Sequence, residues 1–232
     1  MLYALCRILF TLCVAYPVTH LWLGVSLRGR ETLPARGPAV VVANHNSHLD
    51  TLVLLTRFPL RLIPRVRIAA AADYFFANPV SRFVSTRLLG LIPVERRGEG
   101  SSRDPLADMA AWLEGGGILV LFPEGTRGRP EALGEFKPGL WHLLKRCPAA
   151  SLHPVYLHGL GRSLPKGEWI PVPFFIDVCI GGSIAFDADK KSFMQTVRDA
   201  FYALREHTLA ALHEHWDDEP EPEGAPHEQA VP

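Results

Sequence analysis

The chain has 232 residues, with 24 Lys and Arg against 24 Asp and Glu, a length that fits one α/β domain with short appendages. The neutrality is uneven: six acids and no Lys or Arg lie between Asp217 and Pro232, so residues 1–216 carry a net formal charge of +6. Cys6, Cys13, Cys147 and Cys179 show no Cys-x-x-Cys spacing, which fits free buried thiols in a reducing compartment better than a disulfide framework or a zinc site.

Residues 1–27 are apolar, with Arg7, Pro17 and His20 as exceptions. Ile8 to Leu27 approaches the ~20 residues of a membrane span. Pro17 breaks a regular helix, and Arg7 and His20 do not suit hydrocarbon. The pattern therefore favours a partly inserted or in-plane anchor over a true span or a soluble core helix. No small-x-small cleavage site follows, which argues against a signal peptide. Three parts are expected: a membrane-associating segment over 1–23, a domain over 24–216, and an acidic, Pro-rich disordered tail over 217–232.

Gly24 to Leu33 reads as an edge strand leading to a Pro34–Pro38 turn. Ala39 to Ala43 is a short buried strand, and it ends in Asn44-His45-Asn46-Ser47-His48-Leu49-Asp50. A helix over Leu49–Phe58 follows. Arg57, Arg61, Arg65 and Arg67 then occur with no acid between Thr51 and Ala72. This is either a solvated connection or a patch facing anionic headgroups, worth about 1 kcal/mol per Arg.

Arg67–Ala72 reads as a strand, Asn78 starts a helix through Leu88, and Leu91–Val94 is a strand followed by Glu95-Arg96-Arg97. Asp104-Pro105 opens a helix to Leu113. Ile118–Phe122 is a buried strand that ends in Pro123-Glu124-Gly125-Thr126-Arg127. A helix over Leu140–Arg146, a strand over Ser151–Leu157, a Gly- and Pro-rich loop over Gly159–Pro173 and a strand over Phe174–Gly181 come next. Lys190–Trp216 is an amphipathic helix with Phe193, Val197 and Phe201 on one stripe. The alternation predicts an α/β fold, a central mixed sheet flanked by helices. Polar clusters close three strands, so one site is expected at their ends.

His45 and Asp50 are a base and an orienting carboxylate. Five residues apart, they meet only if the backbone turns, with His45 in a loop and Asp50 in the first turn of the helix. Two rival readings remain open. His45, His48 and Asp50 form H-x-x-H-x-D, which is no strong metal pattern, and His45 alone could be a structural, capping histidine. Arg96 and Arg127 suit bidentate phosphate recognition. Glu124 would fix an arginine or accept a hydrogen bond from a substrate hydroxyl. No P-loop, Gly-x-Gly-x-x-Gly or Gly-x-Ser-x-Gly element is present, which ranks a serine hydrolase low.

These residues carry a resemblance. N-H-N-S-H-L-D (Asn44–Asp50), G-L-I-P-V-E-R (Gly90–Arg96), F-P-E-G-T-R (Phe122–Arg127) and a degenerate H-P-V (His153–Val155) occur in the order of the glycerolipid acyltransferase family, which includes 1-acylglycerol-3-phosphate (lysophosphatidic acid) acyltransferases. The resemblance implies an acyltransferase domain that moves a fatty acyl group from acyl-CoA or acyl carrier protein to the hydroxyl of a lysophospholipid, most simply making phosphatidate. His45 would be the general base and Asp50 its orienter. Arg96, Glu124, Gly125, Thr126 and Arg127 would bind the acceptor, and Pro154 would help shape the site. No metal, other cofactor or nucleic acid is implied. The setting would be the cytoplasmic face of the inner (cell) membrane. Position 95 is Glu where the family often has Asp. The alternatives are another acceptor (a different lysophospholipid, an ornithine-type lipid or glycerol 3-phosphate) and a non-catalytic lipid-binding relative.

Overall fold

Runs of Val, Ile, Leu and Ala too short for helices form a mixed sheet in the computed structural model, which describes residues 2–71, 79–94, 104–128, 131–164, 168 and 170–217. Arg96, Arg97 and the tail from residue 218 lie outside the described residues. The strands are β1 (Gly24–Arg28), β2 (Ala39–Ala43), β3 (Val66–Ala71), β4 (Leu91–Val94), β5 (Ile118–Leu121), β6 (Ser151–His158) and β7 (Phe175–Ile180). Their order is β1-β7-β6-β2-β5-β3-β4. The five strands from β6 to β4 are parallel, β7 is antiparallel to β6, and β1 pairs parallel with β7 at the edge.

Strand β2 is buried along its whole length, as a parallel strand covered on both faces must be. The period of two splits its side chains between two cores. Val41 and Ala43 pack with Val53, Leu54 and Phe58 near α2 (Leu49–Arg57). Val40 and Val42 face Leu113 of α4 (Ala107–Glu114), Leu140 of α5 (Gly139–Arg146) and Phe193, Val197 and Phe201 of the long α7 (Lys190–Asp217). Because β2 to β6 run parallel, the C-terminal ends of β2, β3, β4, β5 and β6 share one edge, where ligand sites of such sheets form. Of the helix expected from Asn78 to Leu88, the described part is a short α3 (Pro79–Phe83) continued by a π-wound segment, Val84–Leu89. The loop expected after Gly159 contains one helical turn, α6 (Leu160–Ser163).

The N-terminal segment is a single helix, α1 (Leu2–Trp22). Pro17 does not break it: π-wound turns at Thr11–Ala15 and Val18–Trp22 absorb the missing amide donor. The polarity of α1 is inverted. Arg7, Thr11, Ala15 and Thr19, spaced by four, are buried against the domain, while Leu2, Leu5, Leu9 and Leu12 point outward. Arg7 therefore avoids hydrocarbon by pointing into protein. Its guanidinium donates to the carbonyls of Ile63 (2.6 Å), Leu89 (3.1 Å) and Leu88 (3.4 Å). Burial, with Arg67 nearby, lowers its pKa to about 10, so it stays charged. It rests on Gly90, where φ is +73° and a Cβ would fall 2.4 Å from Arg7 Nη2; no other residue fits there.

The basic run divides in the fold. Arg57 is buried and donates to Thr56 Oγ1 at 2.8 Å, and Arg67 lies between the rings of Tyr3 and Trp112. Only Arg61 and Arg65 of the four are exposed, so on either of the two sequence readings the surface carries two of these arginines rather than four.

Candidate active site

The turn after β2 is built around one carboxylate. Asp50 stands in the first turn of α2, fully buried, and its Oδ2 accepts from His45 Nδ1 (2.8 Å), Asn46 N–H (2.7 Å) and Ser47 N–H (2.9 Å). Ser47 Oγ accepts the Leu49 amide at 3.3 Å, tightening the turn just before the helix. The chain thus wraps its own acid, and this brings His45 and Asp50 together despite their spacing. Burial pushes the Asp50 carboxyl up, while His45 and the Ser47 and Asn46 amides pull against it. With Nδ1 bound to the carboxylate, Nε2 is the basic nitrogen of the neutral ring.

Asn44 and Asn46 hold that turn to the sheet edge. Asn44 Nδ2 donates to Leu157 O at 2.9 Å, the Leu157 amide donates to Asn44 Oδ1 at 2.7 Å, and Asn46 Nδ2 donates to the same carbonyl at 3.0 Å. A side-chain amide matches a backbone amide in geometry, so Asn44 prolongs the pairing of β2 with β6 after the strand has ended. Sequence reasoning assigned these two asparagines no role. Their place directly after a buried strand was the available signal.

The second polar cluster closes on the first. Phe122, just beyond β5, stacks on the His45 ring with centroids 4.2 Å apart. The Gly125 amide donates to Phe122 O at 3.1 Å, and the Gly128 amide donates to His45 O at 3.3 Å. Glu124 has a different partner from the arginine or substrate hydroxyl anticipated. It is buried, and its Oε1 accepts the His45 amide at 3.1 Å. Its Oε2 lies against Gly134, where a Cβ would fall 2.5 Å away. Burial pushes the Glu124 carboxyl up, opposed by the His45 and Gly134 amides. The position beside a strand end in a crowded turn makes Glu124 a brace for the histidine backbone.

These elements line a cleft of about 610 Å³. Ile68, Ala69, Ala70, Leu91, Val94 and Leu121 form an apolar wall, and His45, His48, Arg127 and Lys137 stand with Gly125 and Thr126 at its polar part. Arg127 is half-buried, and Gly125 and Thr126 are exposed. Lys137 and His48 were not among the residues anticipated as binding. Burial, then Arg127 and His45, lower the His48 pKa to about 4, so it is neutral in ordinary buffers. Among the described residues, no group of three or more His, Cys, Asp and Glu side chains could hold a metal ion. His153 and Pro154 do not line the cleft. Both sit inside β6, paired with Val41 and Val42, so the shaping role expected of Pro154 falls instead to the ends of β3, β4 and β5.

A family model described as Acyltransferase matches residues 24–158. The chain is 30% identical over 161 residues to a chloroplastic 1-acyl-sn-glycerol-3-phosphate acyltransferase of Arabidopsis thaliana, covering 65% of this chain and 43% of that protein. It is 32% identical over 120 residues to 1-acyl-sn-glycerol-3-phosphate acyltransferase alpha of Mus musculus, covering 51% and 40%. The chain thus spans less than half the length of these curated relatives. Among solved structures, the 1-acyl-sn-glycerophosphate (LPA) acyltransferase PlsC of Thermotoga maritima has the same fold, with a TM-score of 0.67 at 20% identity over 88% of this chain and 79% of that one.

Proposed function

Because the chain belongs to the Acyltransferase family, we propose that it moves a fatty acyl group from an acyl thioester, on CoA or acyl carrier protein, to the free hydroxyl of 1-acylglycerol 3-phosphate, giving phosphatidate. The observation that carries this is the His45 Nδ1–Asp50 Oδ2 contact of 2.8 Å beside an apolar cleft with cations at its polar part. Asp50 fixes the tautomer, and Nε2 takes the hydroxyl proton as the oxygen attacks the thioester carbonyl. The new C–O bond gives a tetrahedral oxyanion. Its collapse breaks the C–S bond, and the thiolate leaves with the proton that His45 held. No acyl-enzyme is needed.

The apolar wall suits an acyl chain, and Arg127 and Lys137 suit the acceptor phosphate. We place the chain at the cytoplasmic face of the cell membrane; α1 supports the membrane association and not the choice of face. An outward leucine face over a polar inner stripe reverses the pattern of a soluble helix. With its inner face bonded to the domain, α1 lies in the interface plane rather than crossing it.

The test is acyl transfer by purified protein, with acyl-CoA and acyl carrier protein as donors and a panel of lysophospholipids and glycerol 3-phosphate as acceptors. Turnover with lysophosphatidate that disappears in His45→Ala is the expected result. Transfer at the wild-type rate in that variant overturns the mechanism, and a preference for another acceptor overturns the phosphatidate assignment.

A further inference from the structure

The outward apolar surface of α1 does not end at Trp22. Residues 170–175 read Ile-Pro-Val-Pro-Phe-Phe, and Ile170, Val172 and Phe175 are 78%, 58% and 77% exposed. Single exposed apolar residues are ordinary on protein surfaces, but a cluster at the end of one connection and the start of the strand it enters marks an interaction site. The segment is held in shape. The Val172 amide donates to Ser163 O at 2.8 Å, Ser163 Oγ donates to Val172 O at 2.7 Å, and Pro171 and Pro173 fix φ on either side.

Two contacts join this segment to the end of α1. Trp22 Nε1 donates to Pro171 O at 2.9 Å, next to Leu21, which is 86% exposed. The Phe175 ring lies over Gly24, the first residue of β1, where a Cβ would fall 3.1 Å from it. Leu21, Trp22, Ile170, Val172 and Phe175 therefore continue the face that carries Leu2, Leu5, Leu9 and Leu12.

We propose that residues 170–175 are a second membrane-inserting element, seated with the last turn of α1 in the same lipid monolayer. This rests on the membrane-associated acyl-transfer reading. Lipid is the occupant because the patch is continuous with the leucine face of α1. Trp22 fits the same assignment: its indole N–H is bonded and its ring half-exposed, the amphipathic disposition found at headgroup level. The link to the catalytic turn is indirect: Ser163, which holds Val172, precedes Leu164, whose carbonyl accepts from Ser47 Oγ at 3.2 Å. Lipid seating would then fix the catalytic edge of the sheet relative to the bilayer that holds the acceptor.

The test compares wild type with Ile170→Ser/Phe175→Ser by flotation with phosphatidylethanolamine–phosphatidylglycerol vesicles, and by transfer to detergent-dispersed lysophosphatidate. The expected result is a fall in vesicle partition of about tenfold or more, with detergent activity within about twofold of wild type. Partition equal to wild type overturns the proposal. A second variant, Val172→Cys with Cys6 and Cys13 replaced by alanine, carries a polarity-sensitive fluorophore. A blue shift on adding vesicles supports insertion, and emission that vesicles leave unchanged overturns it, whatever the activity. Sedimentation showing a wild-type dimer that the serine substitutions dissociate would assign the patch to a second copy and also overturn it. Wild type that transfers acyl groups and floats, with a variant that floats equally, sinks the loop assignment alone. Wild type that neither floats nor transfers sinks the functional reading with it.

Discussion

Two histidine–carboxylate pairs stand at adjacent, parallel strand ends, and only one faces the cleft. His45 Nδ1 is 2.8 Å from Asp50 Oδ2 beyond β2, and His158 Nδ1 is 2.9 Å from Glu131 Oε2 at the end of β6. His45 lines the cleft, whereas His158 does not and its ring lies beside that of Tyr156. Glu131 also accepts the Gly159 amide at 3.0 Å, and it holds φ at +60°, a strained value for a residue with a side chain. The second pair ties the loop after β5 to the end of β6. A short His–carboxylate contact is therefore no mark of catalysis by itself. What distinguishes the pairs is whether the other ring nitrogen can reach a substrate.

The sharpest break of this comparison is mutation of both histidines. His45→Ala should lower acyl transfer by about 10²–10⁴ or more, and Asp50→Asn by a similar factor, because the amide no longer fixes the tautomer. His158→Gln should leave kcat within about tenfold and instead lower Tm by a few degrees, as loss of one buried polar contact does. Steady-state kinetics beside thermal unfolding reads both. A His158→Gln enzyme as dead as His45→Ala would erase the distinction.

Next in size is the polar part of the cleft. Arg127→Ala should raise KM for lysophosphatidate by about tenfold with less effect on kcat, since it removes binding that ground and transition states share. Gly134→Ala pushes on Glu124 and so on the His45 amide. It should lower kcat by about tenfold with KM little changed, and unchanged kcat would remove Glu124 as a brace.

A smaller effect separates the pairs by pH. Burial raises the Glu131 carboxyl, but His158 with the Gly159 and Gly161 amides outweighs it and holds the group below its ordinary 4.5. A carboxyl lowered by folding stabilises the fold above its unfolded pKa. That contribution fades as the pH falls from about 4.5 through the lower, folded value. Denaturant titrations of Glu131→Gln should show a flatter loss of stability in acid than wild type; an equally steep loss would contradict the assignment. The smallest effect belongs to His48, already neutral above about pH 4. His48→Gln should leave the acid limb of the pH–rate profile in place, and a displaced limb would give His48 a proton-transfer role.

Much of the fold was legible because its strands are short apolar runs bounded by polar clusters. Ala39–Ala43 and Leu91–Val94 match their sequence-based bounds, and α2, α5 and α7 differ from theirs by a residue. The meeting of His45 with Asp50 was legible as a condition, that the backbone must turn, and the amides of Asn46 and Ser47 show how it does. The illegible parts depend on distant partners. Nothing near Glu124 in sequence says that it brackets the His45 amide, because Gly134 and the end of β2 converge on it only in the sheet. Nor does the leucine content of α1 reveal which way those leucines face. Pro17 misled for a related reason, since π-wound turns are set by packing rather than by local propensity.

The seat of Arg7 on Gly90 carries a practical consequence for anyone wishing to handle this protein in water. Trimming the chain before β1 to obtain a detergent-free form would take away the donor that serves the carbonyls of Ile63, Leu88 and Leu89, and leave an open socket beside the strand that leads to Arg96. The segment that looks like a disposable leader is part of the core by its inner face. Solubilising changes belong on the outer face, at Leu2, Leu5, Leu9 and Leu12, where polar replacements touch neither the guanidinium nor the carbonyls it serves.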